Sequence, residues 1–348
     1  MTSTEEIPTT MKRLVVSAPG KDVASCKIEV SEVPVPEPSS GEVLIKVVAA
    51  PINPSDYGEW FRSSPDKYPL PMGKEGCGIV VSIGGVTPRL RFSVGSKVGF
   101  IGLKGGQGSY SEYVAIAATG CFAMPDDMPI EDCASFFVNP YTALAILDTA
   151  KQQGSPAIVH TAAASQLGQM MVKVAPSEDV EVINVVRREE QAELLRELGA
   201  EHVVVTGGDE AKWKEELKDK VKQLGATCAF DAVSGSMTGN LLGVMPPNGT
   251  VYTYGGLAGL AGNINPMDLI YRHKKLKGFL VADWIQDGGM LRMIPRMLSA
   301  SRKVNDGLKS PGWSSTQFMD TTLEKAHDDI VKLLASSITG KKLRIRFD

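Results

Sequence analysis

The chain has 348 residues, 43% of them hydrophobic, and a formal net charge of −3. That length fits about two domains, each with enough apolar content for a core, and the mild acidity gives no general attraction to nucleic acid or anionic membrane. No apolar run reaches the roughly 18 residues of a membrane span. The polar opening MTSTEEIPTT matches neither a secretory nor a mitochondrial signal. Cys26, Cys77, Cys121, Cys133 and Cys228, with no C-x-x-C pair, read as reduced buried thiols of a cytoplasmic protein.

From Lys12 to about Ala118 the pattern is of short strands punctuated by Gly and Pro. Residues 13–17, 27–33 and 42–49 alternate as half-buried strands do, and 78–83, 97–101 and 110–117 continue the series. An antiparallel, partly closed β-barrel is the natural product. Helical spacing follows over 130–150, interrupted near Pro140 and Thr142.

The stretch from Ala157 to Arg188 is the most informative. It reads as a buried strand, a turn of small residues (Thr161 to Ser165), a helix with Leu167, Met170, Met171 and Val174 on one face, and a second strand over 180–186. About thirty residues of strand, turn, helix and strand are the size of a mononucleotide-binding unit. Its turn would offer helix N-terminal N–H groups to a pyrophosphate, so nearby side chains must be small. Ala163, Ser165 and Gly168 occupy the three glycine places of G-x-G-x-x-G, and only the third is kept. At the end of the second strand, Arg187 and Arg188 stand where an NAD site places an acid, which favours the 2′-phosphate of NADP. The alternative is a solvated helix start, although cations there oppose the helix dipole.

Beyond it come a helix over 189–198, a strand over 202–205, a helix over 211–224, and strands over 227–231, 250–254 and 277–281. Strand alternating with helix means a parallel sheet covered on both faces. From Trp284 the pattern gives a helix rich in Met and Arg, a strand, a helix over 324–335 and a strand over 342–347 that should rejoin the first domain. The expected class is α/β: a catalytic β-barrel domain over 1–137 and 283–348, and a Rossmann doubly wound domain over 138–282.

A set of motifs in fixed order carries a resemblance across nearly the whole chain: AAPINPSDY (49–57), GKEGCGIVVSIG (73–84), VGSKVGF (94–100), GSYSEYV (108–114), NPYTAL (139–144), AASQLG (163–168), LGAEHVV (198–204), FDAVSG (230–235), NGTVYTYGGL (248–257) and GKKLRIRF (340–347). They resemble the medium-chain dehydrogenase/reductase family, in its zinc-free branch of quinone oxidoreductases and trans-2-enoyl reductases. The resemblance implies a GroES-like first domain. It also argues against zinc, since Asn53 stands at the metal-dependent branch's Cys and Lys74-Glu75 at its His-Glu pair, whereas zinc needs Cys, His or carboxylate ligands. His160, His202, His273 and His327 do not pair at ligand spacing, and the first two read as core or rim residues.

By the same resemblance the chain reduces a quinone, an enone or an enoyl thioester with NADPH, stabilising enolate charge by placed donors. Tyr68 matches the substrate-facing tyrosine of enoyl reductases, with Tyr57 its rival and a loop tyrosine packed on prolines the alternative. Asn53 matches the asparagine of the family's N-P-x-D motif in the nicotinamide pocket, or caps the helix near Ser55. Asn139 and Thr142 fall at the nicotinamide end, Ser165, Gln166, Leu167 and Gly168 at the diphosphate, and Tyr254, Gly255 and Gly256 at a strand's carboxyl end, where they could also be plain turn residues. Lys342, or its neighbour Lys341, matches a late cofactor lysine. Gln166 departs from the usual glycine and sets a long side chain beside the phosphates. Residues 290–303 have the charge for a phosphate-binding rim, although Met at helical spacing is more often core. A homodimer through the strand over 277–281 is expected, without nucleic-acid or membrane partners. The competing readings are a non-catalytic NADPH-binding structural or RNA-binding protein of the same fold, and an alcohol dehydrogenase.

Overall fold

A computed structural model of the chain describes residues 6–61, 63–101, 107–309, 317–336 and 339–347. The chain opens with β1 (Thr10–Ala18), β2 (Lys27–Pro34), β3 (Glu42–Pro51), the one-turn helix α1 (Pro54–Tyr57), β4 (Leu70–Pro71), β5 (Glu75–Ile83), β6 (Lys97–Ile101), β7 (Tyr113–Ala117) and β8 (Cys121–Ala123). Helix α2 (Val138–Gln152) leads into β9 (Ala157–Thr161), α3 (Gln166–Val174), β10 (Glu181–Val186), α4 (Glu189–Glu197), β11 (His202–Val205), α5 (Glu210–Leu224), β12 (Cys228–Asp231), α6 (Ser236–Val244), β13 (Thr250–Thr253), α7 (Pro266–Ile270) and β14 (Lys275–Gly278). Then come α8 (Val281–Gln286), α9 (Gly289–Lys309), β15 (Gln317–Thr321), α10 (Ala326–Ala335) and β16 (Lys341–Arg346).

These elements form two units, Met1–Val138 with Leu308–Asp348, and Asn139–Gly307. In the first, one sheet runs β2-β1-β4 and a larger one β15-β16-β3-β5-β6-β8, with β7 also on β3. Strand β3 meets β5, β7 and β16, all antiparallel, so both its edges are paired and EVLIKVVAAP is buried almost throughout instead of alternating. The expected strand over 110–117 begins only at Tyr113. Tyr110 instead lies fully buried ahead of it, its carbonyl accepting from Leu14 N–H at 2.8 Å. It joins Trp60 and Met72 in a core closed by Leu343 and Ile345 of β16, which bring the chain's end back as expected.

In the second unit six parallel strands run β11-β10-β9-β12-β13-β14. Numbered from β9 this is the order 3-2-1-4-5-6 of dinucleotide-binding folds, whose switch point lies between the first and fourth strands. Strand β9 is buried at all five positions, as a parallel strand covered on both faces must be. Helix α5 illustrates the covering: Asp209 caps it by accepting from Lys212 N–H at 3.1 Å, Gly225 ends it at φ 68°, and Trp213, Leu217 and Val221 lay one stripe on the sheet.

Two expectations differ from the structure here. The run over 277–281 is not a buried strand: β14 covers 275–278 at the sheet edge with β13 its one neighbour among the described residues, is mostly exposed, and is followed by α8 from Val281. The return to the first unit comes at Leu308 rather than 283, because α8 and α9 are tied to the second unit. Trp284 donates to Asp148 at 2.7 Å, the Arg296 guanidinium lies 5.0 Å from the Trp284 ring centroid, and Lys303 pairs with Glu178.

The edge strand is anchored by Lys274, whose buried ammonium meets the Asp268 carboxylate at 2.8 Å and the Leu242 carbonyl at 2.5 Å. Lys274→Met would leave that carboxylate largely uncompensated. We expect it to cost about 3 kcal/mol, read as a lower urea midpoint at unchanged m-value.

Candidate active site

Asn53 and Glu75 lie within one polar cluster inside the first unit. Glu75, at the start of β5, is fully buried. Its Oε2 accepts from the backbone N–H groups of Phe137 and Val138, both at 3.0 Å, and its Oε1 from the Asn53 amide at 3.0 Å. The Lys342 ammonium stands 3.9 Å from Oε1 and donates to Ser135 Oγ at 2.6 Å. Burial pulls the Lys342 ammonium below its usual range, against the opposing charges of Glu75 and Asp56. Lys342 is therefore a buried countercharge to Glu75. Its neighbour Lys341 is exposed.

Asn53 stands at the N-cap position of α1, where its backbone N–H donates to Asp56 Oδ2 at 2.8 Å while its side chain goes to Glu75 and makes no cap hydrogen bond. Tyr110 donates to the same oxygen at 2.8 Å. Because the Asn53 amide N–H is given to a carboxylate, its Oδ1 is the side left over. Among the described residues both it and Asp56 Oδ1 are buried without a partner. Burial lifts the Asp56 carboxyl to about 6, against these two hydrogen bonds, which favour the charged form.

The two tyrosines differ. Tyr68 gives its hydroxyl to the Trp60 carbonyl at 2.8 Å and packs against the core around Trp60. Tyr57, the last residue of α1, meets the Trp60 ring edge-on at 6.0 Å; burial, then the Asp56 charge, push its hydroxyl up to about 12, so it holds its proton at neutral pH.

The nucleotide turn lies in the second unit. Ala162 takes φ 51° to make the turn after β9, and Ser165 caps α3, its Oγ accepting from Gly168 N–H at 3.3 Å. A Cβ on Gly168 would overlap the Ala163 carbonyl, which is why the third glycine place cannot change. Gln166 and Leu167 open α3, and Asn139 and Thr142 lie half-buried in the first turn of α2. Arg187 and Arg188 sit at the end of β10, where both backbone N–H groups donate to Gln191 Oε1 at 3.1 and 3.2 Å. Gln191 thus does the capping of α4, leaving the Arg187 side chain exposed, while Arg188 Nε stands 3.7 Å from Glu190.

Sequence reasoning missed Asp231. Fully buried at the end of β12, its Oδ1 accepts from Thr161 Oγ at 2.9 Å and from Val233 and Ser234 N–H at 2.9 and 3.2 Å, and its Oδ2 from Thr238 Oγ at 2.8 Å. An acid closing an apolar strand in FDAVSG was the available signal. Ser234 in turn donates to the Gly255 carbonyl at 2.8 Å, tying the loops after β12 and β13. Tyr254 turns its hydroxyl to within 2.7 Å of Nε2 of the buried His160. Burial alone depresses His160 to about 4, which makes it the neutral core residue expected.

The donor set does not suit zinc. The first ligand place holds an amide committed to Glu75, the second the Lys74 ammonium, paired with Glu59 at 2.9 Å, and Glu75 is filled by N–H donors. Among the described residues no three His, Cys, Asp or Glu are grouped to hold a metal.

Residues 39–126 match the family described as alcohol dehydrogenase GroES-like domain, and residues 167–296 the one described as zinc-binding dehydrogenase. The mitochondrial enoyl-[acyl-carrier-protein] reductase of Xenopus tropicalis is 32% identical over 74% of this chain and 74% of its own length, and the Homo sapiens protein of that name 30% identical over 71% and 66%. Among solved structures, a Mesorhizobium loti protein classed as an NADPH:quinone reductase superposes with a TM-score of 0.84 at 30% identity, covering 99% of this chain and 100% of that one. An Escherichia coli quinone oxidoreductase complexed with NADPH has the same fold at 18% identity, a TM-score of 0.79 and coverage of 95% and 99%.

The Asp56 carboxyl gives a test of the cluster. An unfolded Asp titrates near 3.9, so the native state binds this proton more tightly between that pH and about 6. The stability due to the neutral form is complete at low pH and is lost as pH rises through about 6. Relative to wild type, Asp56→Asn should gain about 2–3 kcal/mol between pH 4 and pH 7.5, read from urea midpoints at both values. Parallel pH dependence in the two proteins would mean that Asp56 is ionised throughout.

Proposed function

Because this chain belongs to the medium-chain dehydrogenase/reductase family, in its zinc-free branch of quinone oxidoreductases and trans-2-enoyl reductases, we propose that it reduces a quinone or the activated C=C bond of an enone or enoyl thioester with NADPH. The observation that carries this reading is the donor set at Asn53 and Lys74-Glu75, where an amide committed to Glu75, an ammonium, and a carboxylate filled by N–H donors stand at the places that metal-dependent relatives give to zinc ligands. The non-catalytic reading has no feature of its own here, and the alcohol dehydrogenase reading needs a metal that these donors cannot hold.

NADPH fits the second unit on the evidence of the Gly168 cradle, closed to any larger residue. Ser165, Gln166, Leu167 and Gly168 at the α3 N-terminus would hold the diphosphate, Arg187 and Arg188 the 2′-phosphate, and Asn139, Thr142 and the backbone of Tyr254, Gly255 and Gly256 the nicotinamide end. When bound, this cofactor supplies the hydride. In an enoyl substrate the β-carbon accepts it, charge develops on the thioester oxygen, and the α-carbon then takes a proton. We assign the proton-donating hydroxyl to Tyr57 ahead of Tyr68, because Tyr68 already gives its proton to the Trp60 carbonyl.

We also propose a homodimer through β14, an exposed edge flanked by Ile270, Tyr271 and Leu280, which are 55%, 74% and 57% exposed. Five free, buried cysteines suit a reducing compartment, either the cytoplasm or the mitochondrion of the curated relatives' names.

NADPH oxidation with 1,2-naphthoquinone, an alkenal and crotonyl-CoA tests the activity: turnover of at least one is expected, and none would overturn it. Arg187→Ala should raise KM for NADPH about tenfold, the loss of a charge-assisted hydrogen bond, and leave that for NADH unchanged. Tyr57→Phe should lower kcat about a hundredfold, with Tyr68→Phe close to wild type; the reverse order would return the role to Tyr68.

A further inference from the structure

The last two residues of β9 reach across the parallel sheet on opposite faces, as neighbours on a strand must. Thr161 turns to one face and meets the next strand, β12, through Asp231. His160 turns to the other and reaches beyond β12 to the residue that follows β13. Its Nε2 stands 2.7 Å from the Tyr254 hydroxyl, with the two rings at 7° and their centroids 5.9 Å apart. Phe230, the register partner of His160 on β12, is fully buried beside this link and stacks on Tyr252 of β13 at 5.0 Å. The bond is thus set in a layer of packed rings.

Stability alone does not ask for an imidazole at this place. Buried polar groups cost free energy unless they are bonded, and among the described residues His160 Nδ1 is buried without a partner. An apolar side chain would fill the position without that cost. Nor is charge the reason: burial depresses His160 to about 4, and burial followed by the Asp231 charge pushes the Tyr254 hydroxyl up, so both groups are neutral.

What the bond joins is the turn after β9 and the loop after β13. His160 lies two residues before Ala162, whose φ of 51° makes the nucleotide turn, and Tyr254 opens the loop that continues with Gly255 and Gly256. Other ties hold this loop to β12 and the loop behind it. Tyr254 N–H donates to the Asp231 carbonyl at 2.9 Å, Ser234 Oγ to the Gly255 carbonyl at 2.8 Å, and a Cβ on Gly255 would meet the Ala232 carbonyl at 2.7 Å. The His160 bond ties the same loop directly to β9.

We propose that His160 is a positioning residue for the dinucleotide: through Tyr254 it sets the separation of the diphosphate turn and the nicotinamide-side loop, so that one extended ligand engages both. The inference rests on the cofactor site proposed above. Its consequence is selective, since a ligand that spans both loops feels the link and one confined to the turn and Arg187 does not.

The test is equilibrium binding of NADPH and of 2′,5′-ADP, its adenosine half, followed by titration calorimetry and independent of turnover. Tyr254→Phe, which deletes one oxygen, and His160→Leu should each bind NADPH about fivefold more weakly, the loss of one neutral hydrogen bond. Both should bind 2′,5′-ADP as wild type does, which also reports an intact fold. The double variant should be no weaker than either single one, because both remove the same bond. His160→Gln, whose amide keeps a polar partner for the hydroxyl, should bind NADPH within about twofold of wild type. Equal weakening of both ligands in Tyr254→Phe would mean that the turn itself is disturbed and would overturn the proposal. Unchanged NADPH binding or an additive double variant would overturn it as well. A wild type that binds no NADPH would refute the cofactor reading, and this inference with it.

Discussion

The buried carboxylate of Glu75 is the interaction on which the first unit depends. A carboxylate with no access to water is tolerable only when its lone pairs are filled. Here the donors come from far apart in the chain: the Asn53 amide before α1, two backbone N–H groups where the chain leaves for α2, and an ammonium on the last strand. Satisfying one residue thus fixes the start of the helix carrying Asp56 and Tyr57, the exit of the unit and the position of β16. Removing any donor would leave a buried charge short of partners.

The second unit repeats this device with Asp231. Its two oxygens collect hydroxyls from β9 and α6 and two N–H groups of its own loop, at the carboxyl ends of the central strands. That is the edge at which open parallel sheets bind their ligands. In both units an inward-facing carboxylate ties loops together, so rigidity there comes from polar satisfaction as much as from apolar packing.

Much of this was legible in the sequence where the signal is local. The 3-2-1-4-5-6 sheet follows from alternating strand and helix patterns, and Gly168 from a turn with no room for a Cβ. The edge strand was misplaced because Phe279, Leu280 and Val281 are apolar in a row, and such a run reads alike as a strand or as the entry to a helix. The pairing of Lys342 with Glu75 was not legible, because the two lie far apart in the chain and no spacing rule connects them. Sequence likewise cannot reveal that the Tyr68 hydroxyl faces a backbone carbonyl, that of Trp60.

As the proposed site, the first cluster has a chemistry that limits the substrates it would serve. A Lewis-acid metal stabilises alkoxide charge on an unactivated ketone or aldehyde by several kcal/mol. An asparagine locked onto a carboxylate cannot do the same, since its free atom, Oδ1, is itself an acceptor. Lys342 cannot supply that stabilisation either while its charge is balanced by Glu75 and its proton given to Ser135. In the site proposed above, oxygen charge is met by the neutral hydroxyl of Tyr57, which burial pushes up to about 12 and which stabilises an anion less than a metal does. A site of that strength suits electrophiles that spread the incoming charge themselves. Quinones, enones and enoyl thioesters do so through conjugation, and saturated carbonyls do not.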